Sequence, residues 1–246
     1  MRTPRFRSPF RLAELVDNVV GAELRDGDVL VISSKFVAIS EGRVVDLGSV
    51  SPSALAVEES RKLGMSPELC ELVIRESDEV VGGVTGFMLA LKEGLLTPNA
   101  GIDKSNVEHG KVVLYPRDPV ESAAAVAEGL RFRRGVHVGV VLSDSRLTPT
   151  RKGTIGVALA ASGVEAIVDL RGRPDLFGNV LKVTSQAVAD DLCSGAQVVM
   201  GEADESVPIV LVRGLGTRSG SDYPMSSFAV DPEQCVYMRS LGYKAR

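Results

Sequence analysis

The segment Asp28-Val29-Leu30-Val31-Ile32-Ser33-Ser34 constrains the fold more than any other. It is rich in β-branched residues, follows the turn signal Asp26-Gly27, and reads as a buried strand. Further runs of this kind are Arg43-Val44-Val45 after the turn Glu41-Gly42, Val112-Val113-Leu114, the central Val136 to Leu142, and Val207 to Val212. Val80-Val81, Met88-Leu89-Ala90 and Leu95-Leu96 predict a small meander ending at Asp103. Helix signals are interspersed irregularly. Ser51-Pro52 opens a helix, with serine as cap and Leu55 and Leu63 on one face, and Gly64 ends it. Ser66-Pro67-Glu68 starts a second, through Ile74. Val120 to Arg133 is alanine-rich and of high helix propensity. Thr184-Ser185 caps a helix carrying Val188, Leu192 and Ala196, with Gly201 as its stop. Phe36 to Ser40 is expected to be extended, Ser145 to Gly153 a loop, and Pro232 to Leu241 a short docking helix; Ile155 to Ala161 fits strand or helix. The class is mixed α/β (α+β), without the regular alternation of a doubly wound sheet. No GxxxxGK[ST] loop and no GxGxxG after a strand occurs, so neither a P-loop nor a Rossmann fold is expected.

Composition excludes several functions. The net charge of −4 lacks the basic footprint of a nucleic-acid binder, and 4% aromatic residues without Trp argue against a base-stacking platform. The densest basic spot, Arg131, Arg133 and Arg134, suits a solvated helix C-terminus. No apolar run approaches the roughly 20 residues of a membrane span. Arg2, Arg5, Arg7 and Arg11 have no apolar stretch behind them, so no secretory signal is read, and a cytoplasmic location is expected. Cys70, Cys193 and Cys235 are isolated and read as free thiols. His137 falls within an apolar strand and His109 in a turn, neither placed for a catalytic triad.

The chemistry rests on acids. Asp103, Asp144 and Glu202 each close or follow an apolar stretch, in Asn99-Ala100-Gly101-Ile102-Asp103, Val140-Val141-Leu142-Ser143-Asp144-Ser145 and Val198-Val199-Met200-Gly201-Glu202. Any one of them alone reads as the terminator of an element. Together, with no cysteine near any of them, they suit magnesium or manganese carrying phosphates rather than zinc. Arg146, Arg151 and Lys152 follow Asp144 and could clamp phosphate oxygens, or form a solvated surface loop. Asn106 could bond a ligand or stabilise a turn. Arg171, Arg173 and Asp175 form a polar loop with no assigned role.

These segments, with Gly172–Gly178 (GRPDLFG) and Ala189–Gly214, resemble the coenzyme F420-0:L-glutamate ligase family over nearly the whole chain. Asn99–Asn106 (NAGIDKSN) is the most specific signal. The resemblance implies an F420 ligase-like fold in an intertwined homodimer, with residues 1–216 as the ligase domain, two subdomains being an option within it, and 217–246 as a tail. It implies two divalent cations, Mg2+ or Mn2+, with Asp103, Asp144, Ser145 and Glu202 as ligands. GTP would be contacted by Ser33, Ser34, Asn106 and the segment Met200, Gly201, Ala203, Asp204, Glu205, Ser206 and Val207; Thr3–Phe6 matches a nucleotide-contacting stretch loosely. The chain departs where the family reads S-K-A before E-G-R: Ile39 and Ser40 stand there, and Lys35 is the nearest charge that could substitute. It also departs from the family's MGEG, reading Met200-Gly201-Glu202-Ala203 with Asp204 and Glu205 behind.

The implied activity is GTP-dependent addition of L-glutamate to F420-0 through an acyl phosphate, with Asp103 and Asp144 at the reaction centre; apart from the resemblance, Arg146, Arg151 and Lys152 are candidate phosphate or substrate clamps. Two other readings use the same acids: a metal-dependent phosphoryl-transfer enzyme acting on another small acid, and a non-catalytic nucleotide-binding dimer.

Overall fold

A computed structural model describes residues 1–215 and 220–244. In chain order the strands are β1 (Val29–Ser33), β2 (Val44–Asp46), β3 (Glu79–Val84), β4 (Phe87–Lys92), β5 (Leu95–Pro98), β6 (Lys111–Val113), β7 (Gly139–Leu147), β8 (Thr154–Ser162), β9 (Val168–Asp169), β10 (Ser185–Gln186) and β11 (Ile209–Val212). The helices are α1 (Leu12–Val20), α2 (Ser34–Ser40), α3 (Ala54–Leu63), α4 (Pro67–Glu76), α5 (Pro119–Arg134), α6 (Val188–Met200) and α7 (Val236–Ser240).

The central sheet has the order β11-β1-β7-β8, with β1 parallel to β7 and the other pairs antiparallel. Successive side chains of a strand point to opposite faces, and β1 separates its residues accordingly. Leu30 and Ile32 join Val140 and Leu142 of β7 under α1 and α5, packing on Val16, Val20, Val126 and Leu130. Val29 and Val31 join Val141 under α6, against Ala189, Leu192, Cys193 and Ala196. Both faces are therefore covered. Burying each of Leu30 and Ile32 contributes roughly 1.5–3 kcal/mol. Where β1 meets β11, the buried Asp28 carboxylate accepts two hydrogen bonds of 2.7 Å from Arg213, which fixes the ends of the pair.

A second layer system stands on the meander β3-β4-β5, whose buried Met88 and Ala90 pack on Leu69, Cys70 and Val73 of α4 and on Ala56 and Leu63 of α3. The β2–β6 pair also lends Val112 to this core.

Several local expectations are corrected. Phe36 to Ser40 is not extended but belongs to α2: Ser33 keeps an extended backbone at the N-cap, and Phe36, Val37 and Ser40 turn inward together. The cap of α3 is Ser53, not Ser51, its side chain accepting from Ala56 N–H. Its buried face is Ala56, Ser60 and Leu63, leaving Leu55 exposed. The N-cap of α6 is Ala187, two residues past the expected Ser185, because Ser185–Gln186 pairs with Val168–Asp169 instead. Ser145–Leu147 continues β7 rather than looping, and Ile155 to Ala161 lies in β8. His137 precedes β7 and is exposed.

The expected boundary at 216/217 falls outside the described residues, as do Thr217–Ser219. Beyond them, Tyr223 exchanges backbone hydrogen bonds with Ala161, and the buried Met225 packs with Tyr115 and Leu159. The docking helix is the five-residue α7, which buries Met238. Among the described residues no helix is long and apolar enough to cross a membrane.

Candidate active site

The C-terminal end of β1, the β7–β8 hairpin, the C-terminal end of α6 and the Asn99–Asn106 segment open onto one cleft of about 860 Å³. Asp103, Asp144, Ser145, Arg146 and Glu202 line it, as do Ser33, Ser34, Lys35, Asn106 and every residue from Met200 to Val207. So does Thr3–Phe6, held there by a clasp in which Thr3 N–H donates to Ser206 O (3.1 Å) and the Ser206 hydroxyl to Thr3 O (2.9 Å). Arg151 and Lys152 are exposed near the tip of the hairpin, outside the cleft lining. Arg171, Arg173 and Asp175 lie elsewhere, where Arg171 pairs with Asp169 at 2.6 Å.

Asp103 is delivered by an unusual backbone. Asn99, Ala100 and Gly101 all have positive φ, at 51°, 50° and 77°, a run that costs energy at the two residues bearing side chains. Asn99 offsets some of this by accepting from Met88 N–H (2.9 Å). Gly101 is obligatory on a second ground: a Cβ there would lie 2.0 Å from the Tyr115 ring. Asp103 then accepts from Ser105 N–H (2.6 Å) and the Ser105 hydroxyl (3.1 Å), and pairs with Lys35 at 2.6 Å. Burial pushes its carboxyl up, but the Lys35 charge and these hydrogen bonds more than offset that and hold it below the ordinary aspartate value. Ile39 also faces the cleft, so Lys35 is the cation that α2 supplies there.

Asp144 sits in β7 just after a register irregularity between Leu142 and Ser143. Its carboxylate accepts from Tyr115 Oη–H and more distantly from the Ser34 hydroxyl (3.4 Å). Arg146, on the same side of the strand, donates to Tyr115 Oη (3.0 Å) and stands 3.9 Å from Asp144. Burial raises the Asp144 carboxyl; Arg146 and Tyr115 oppose that, and the nearby Asp103 charge adds to the rise. Burial likewise pushes the Tyr115 hydroxyl well above its usual range.

Glu202 follows Gly201, whose φ of 74° ends α6, and one oxygen collects three donors: Ser145 hydroxyl (2.7 Å), Thr154 hydroxyl (2.6 Å) and Gln197 amide (2.8 Å). Asn106 donates to Ala203 O (2.8 Å), tying the Asp103 segment to the Glu202 segment 97 residues later. Glu205 folds back onto its own loop, accepting from Ala203 N–H (2.9 Å).

The donors around the cleft are carboxylates and hydroxyls, and Cys70 and Cys193 are buried in the helix-packed cores. That set fits a hard divalent cation. Among the described residues no three His, Cys, Asp or Glu side chains converge on one point; the acids are strung along the cleft.

Comparison with known proteins decides the family. The family model for F420-0:gamma-glutamyl ligase matches residues 1–214. The chain belongs to this family. Among its relatives, a protein of Methanopyrus kandleri named coenzyme F420:L-glutamate ligase is 40% identical over 205 residues, 83% of this chain and 81% of that protein. A protein of the same name from Archaeoglobus fulgidus is 40% identical over 204 residues, with the same coverage. Another from Haloarcula marismortui is 35% identical over 97% of this chain and 93% of that protein. Three side chains at or just behind the cleft escape sequence reasoning: Thr154 and Gln197 in its lining, and the buried Tyr115 against Asp144. The pattern gives no sign of Tyr115, because Val112 to Leu114 reads simply as a strand and its hydroxyl meets residues about 30 positions later. Thr154 and Gln197 become visible only once the hairpin and the last turn of α6 lie side by side.

Proposed function

We propose that this chain is a GTP-dependent ligase that joins L-glutamate to F420-0 through an amide bond, acting as a cytoplasmic homodimer with Mg2+ or Mn2+. The observation that carries this reading is the single cleft on which Asp103, Asp144, Ser145 and Glu202 meet the Thr3–Phe6 and Met200–Val207 segments. Its volume of about 860 Å³ lies within the range of small-molecule sites and leaves room for a nucleotide beside an acid.

A carboxylate and an amine do not condense unaided in water. In the proposed reaction a carboxylate oxygen of F420-0 attacks the γ-phosphorus of GTP, the bond from that phosphorus to the β-phosphate oxygen breaks, and GDP leaves. The glutamate nitrogen, after losing a proton to solvent, attacks the acyl carbon of the resulting acyl phosphate. The nitrogen gives up a second proton to the departing phosphate as the carbon–oxygen bond breaks, leaving the amide and inorganic phosphate. Both steps bring anions together, so positioning and charge neutralisation are the catalytic requirements. Asp103 with Asp144, and Ser145 with Glu202, would each hold a divalent cation, whose contribution when bound is to neutralise phosphate oxygens. Arg146 lies beside Asp144 as a fixed positive charge. Ser33, Ser34, Asn106 and the backbone of Met200–Val207 orient the nucleotide, and Lys35 is placed to meet a phosphate if it exchanges Asp103 for the ligand.

Incubation with F420-0, L-glutamate, GTP and Mn2+, read by mass spectrometry, tests this. Glutamyl adducts formed together with GDP are expected. GDP without adducts would favour phosphoryl transfer to another acid, and nucleotide binding without turnover would favour a non-catalytic dimer.

A further inference from the structure

The Asp144 half of the site contains a buried phenol that neither the family resemblance nor the proposed reaction uses. Tyr115 is 3% exposed, its ring packed on Gly101, Leu159 and Met225, and its hydroxyl faces both Asp144 and Arg146. The direction of this relay follows from chemistry alone. A guanidinium has only donors, so Arg146 must donate to the phenol oxygen, and the one phenol proton is left for the Asp144 carboxylate. The consequence is a separation. A direct guanidinium–carboxylate pair closes to about 2.7–2.9 Å, whereas Arg146 stands 3.9 Å from Asp144, with the hydroxyl serving both. Among the described residues, Arg146 Nε is buried without a hydrogen-bond partner, and the guanidinium donates to Tyr115 Oη through its other end. Asp190 also acts on Arg146 electrostatically, but its carboxylate already accepts from Ala158 N–H (2.8 Å).

We infer that Tyr115 is a positioning residue that holds Arg146 away from Asp144 and so keeps that carboxylate open to a divalent cation. The inference rests on the proposed metal role of Asp144 and adds to it the group that protects it. Without the hydroxyl, the guanidinium has the Asp144 carboxylate as its nearest free acceptor and closes on it, competing with the cation.

Mn2+ alone, titrated into the full-length protein and followed by calorimetry or by the electron-spin signal of the free ion, tests this without turnover. Tyr115→Phe keeps the ring and removes the hydroxyl, and is expected to weaken Mn2+ binding roughly tenfold to a hundredfold, as loss of a group supporting a metal ligand does. Its melting temperature should stay close to that of the unaltered protein. Adding Arg146→Gln removes the competitor, and the double variant is expected to recover most of the lost affinity. A merely structural role predicts no such recovery. Tyr115→Phe binding Mn2+ as tightly as the unaltered protein would overturn the inference while leaving the metal site standing, and so would a double variant as weak as the single one. An unaltered protein that binds no Mn2+ would overturn both.

Discussion

Asp103 and Asp144 face the same cleft and are held there in opposite ways. Asp103 is fixed locally, by Ser105 two residues on, and faces a full ammonium charge at 2.6 Å. Asp144 is fixed by Ser34 and Tyr115 from distant segments and by Arg146 of its own strand, and its closest partner is a neutral phenol. The result is one carboxyl held below its ordinary value and one raised above it. Two acids in one site thus differ in how firmly they hold their charge. Asp103 is neutralised before any ligand arrives, while the charge on Asp144 is costly until a cation comes.

The largest expected effect follows from the more costly charge. Asp144→Asn keeps the shape and still accepts from Tyr115, so the fold should persist. If Asp144 holds a cation as proposed, losing its charge should remove several kcal/mol from the transition state and lower turnover on the order of a thousandfold. Glutamyl transfer measured beside a thermal melt checks this. Retained turnover would remove Asp144 from the metal-binding role and erase the contrast with Asp103.

Gly101→Ala strikes the point where the two halves touch. The new methyl would meet the Tyr115 ring, and the backbone would have to hold a positive φ with a side chain present. Overpacking and left-handed strain together should cost about 3 kcal/mol. For a chain of this size that lowers the melting temperature by roughly 6–12 °C. Calorimetry is the check, and an unchanged melt would mean that Tyr115 can move aside freely.

Lys35→Gln sharpens the comparison from the other side. With the ammonium gone, burial is left as the leading influence on Asp103, so its carboxyl should take up a proton at higher pH. The acid limb of kcat/KM, which reports the free enzyme, should therefore move to higher pH. The KM for GTP should rise about tenfold if Lys35 also meets a phosphate, the loss of roughly one charge-assisted hydrogen bond. An acid limb that stays in place would show that Lys35 does not control Asp103.

The same contrast explains what was legible in the sequence. Asp103 sits in a motif whose physics is largely local: the positive φ of Asn99 and Gly101 and the hydrogen bonds from Ser105 all lie within seven residues. Such a unit can be read before anything is known of the fold. The meander, the start of α4 and the Ala-rich α5 are legible for a similar reason, since caps and periodicity act over one or two turns. Asp144 was visible only as an acid at a strand end, because its partners come from the start of α2, the segment after β6, and its own strand. α2 was misread for the opposite reason. Its seven residues contain β-branched and aromatic side chains that suit a strand, and tertiary packing of Phe36 and Val37 overrode that preference.

The smallest expected effect concerns the hairpin that carries Asp144. Arg146, in the last paired residues of β7 before the turn, is largely buried beside the carboxylate, while Arg151 in the turn itself is exposed and outside the cleft lining. Sequence proximity alone cannot tell these two arginines apart; burial can. An exposed charge in solvent contributes at most about 1 kcal/mol through screened interactions, so Arg151→Ala should change kcat/KM by less than about fivefold. Steady-state kinetics at two salt concentrations reads this directly, because a screened contribution shrinks further as salt rises. A loss far beyond fivefold that persists at high salt would mean that the tip folds over the bound substrate. The hairpin would then clamp phosphate with both arginines, and the Asp144 side of the cleft would be the mobile one.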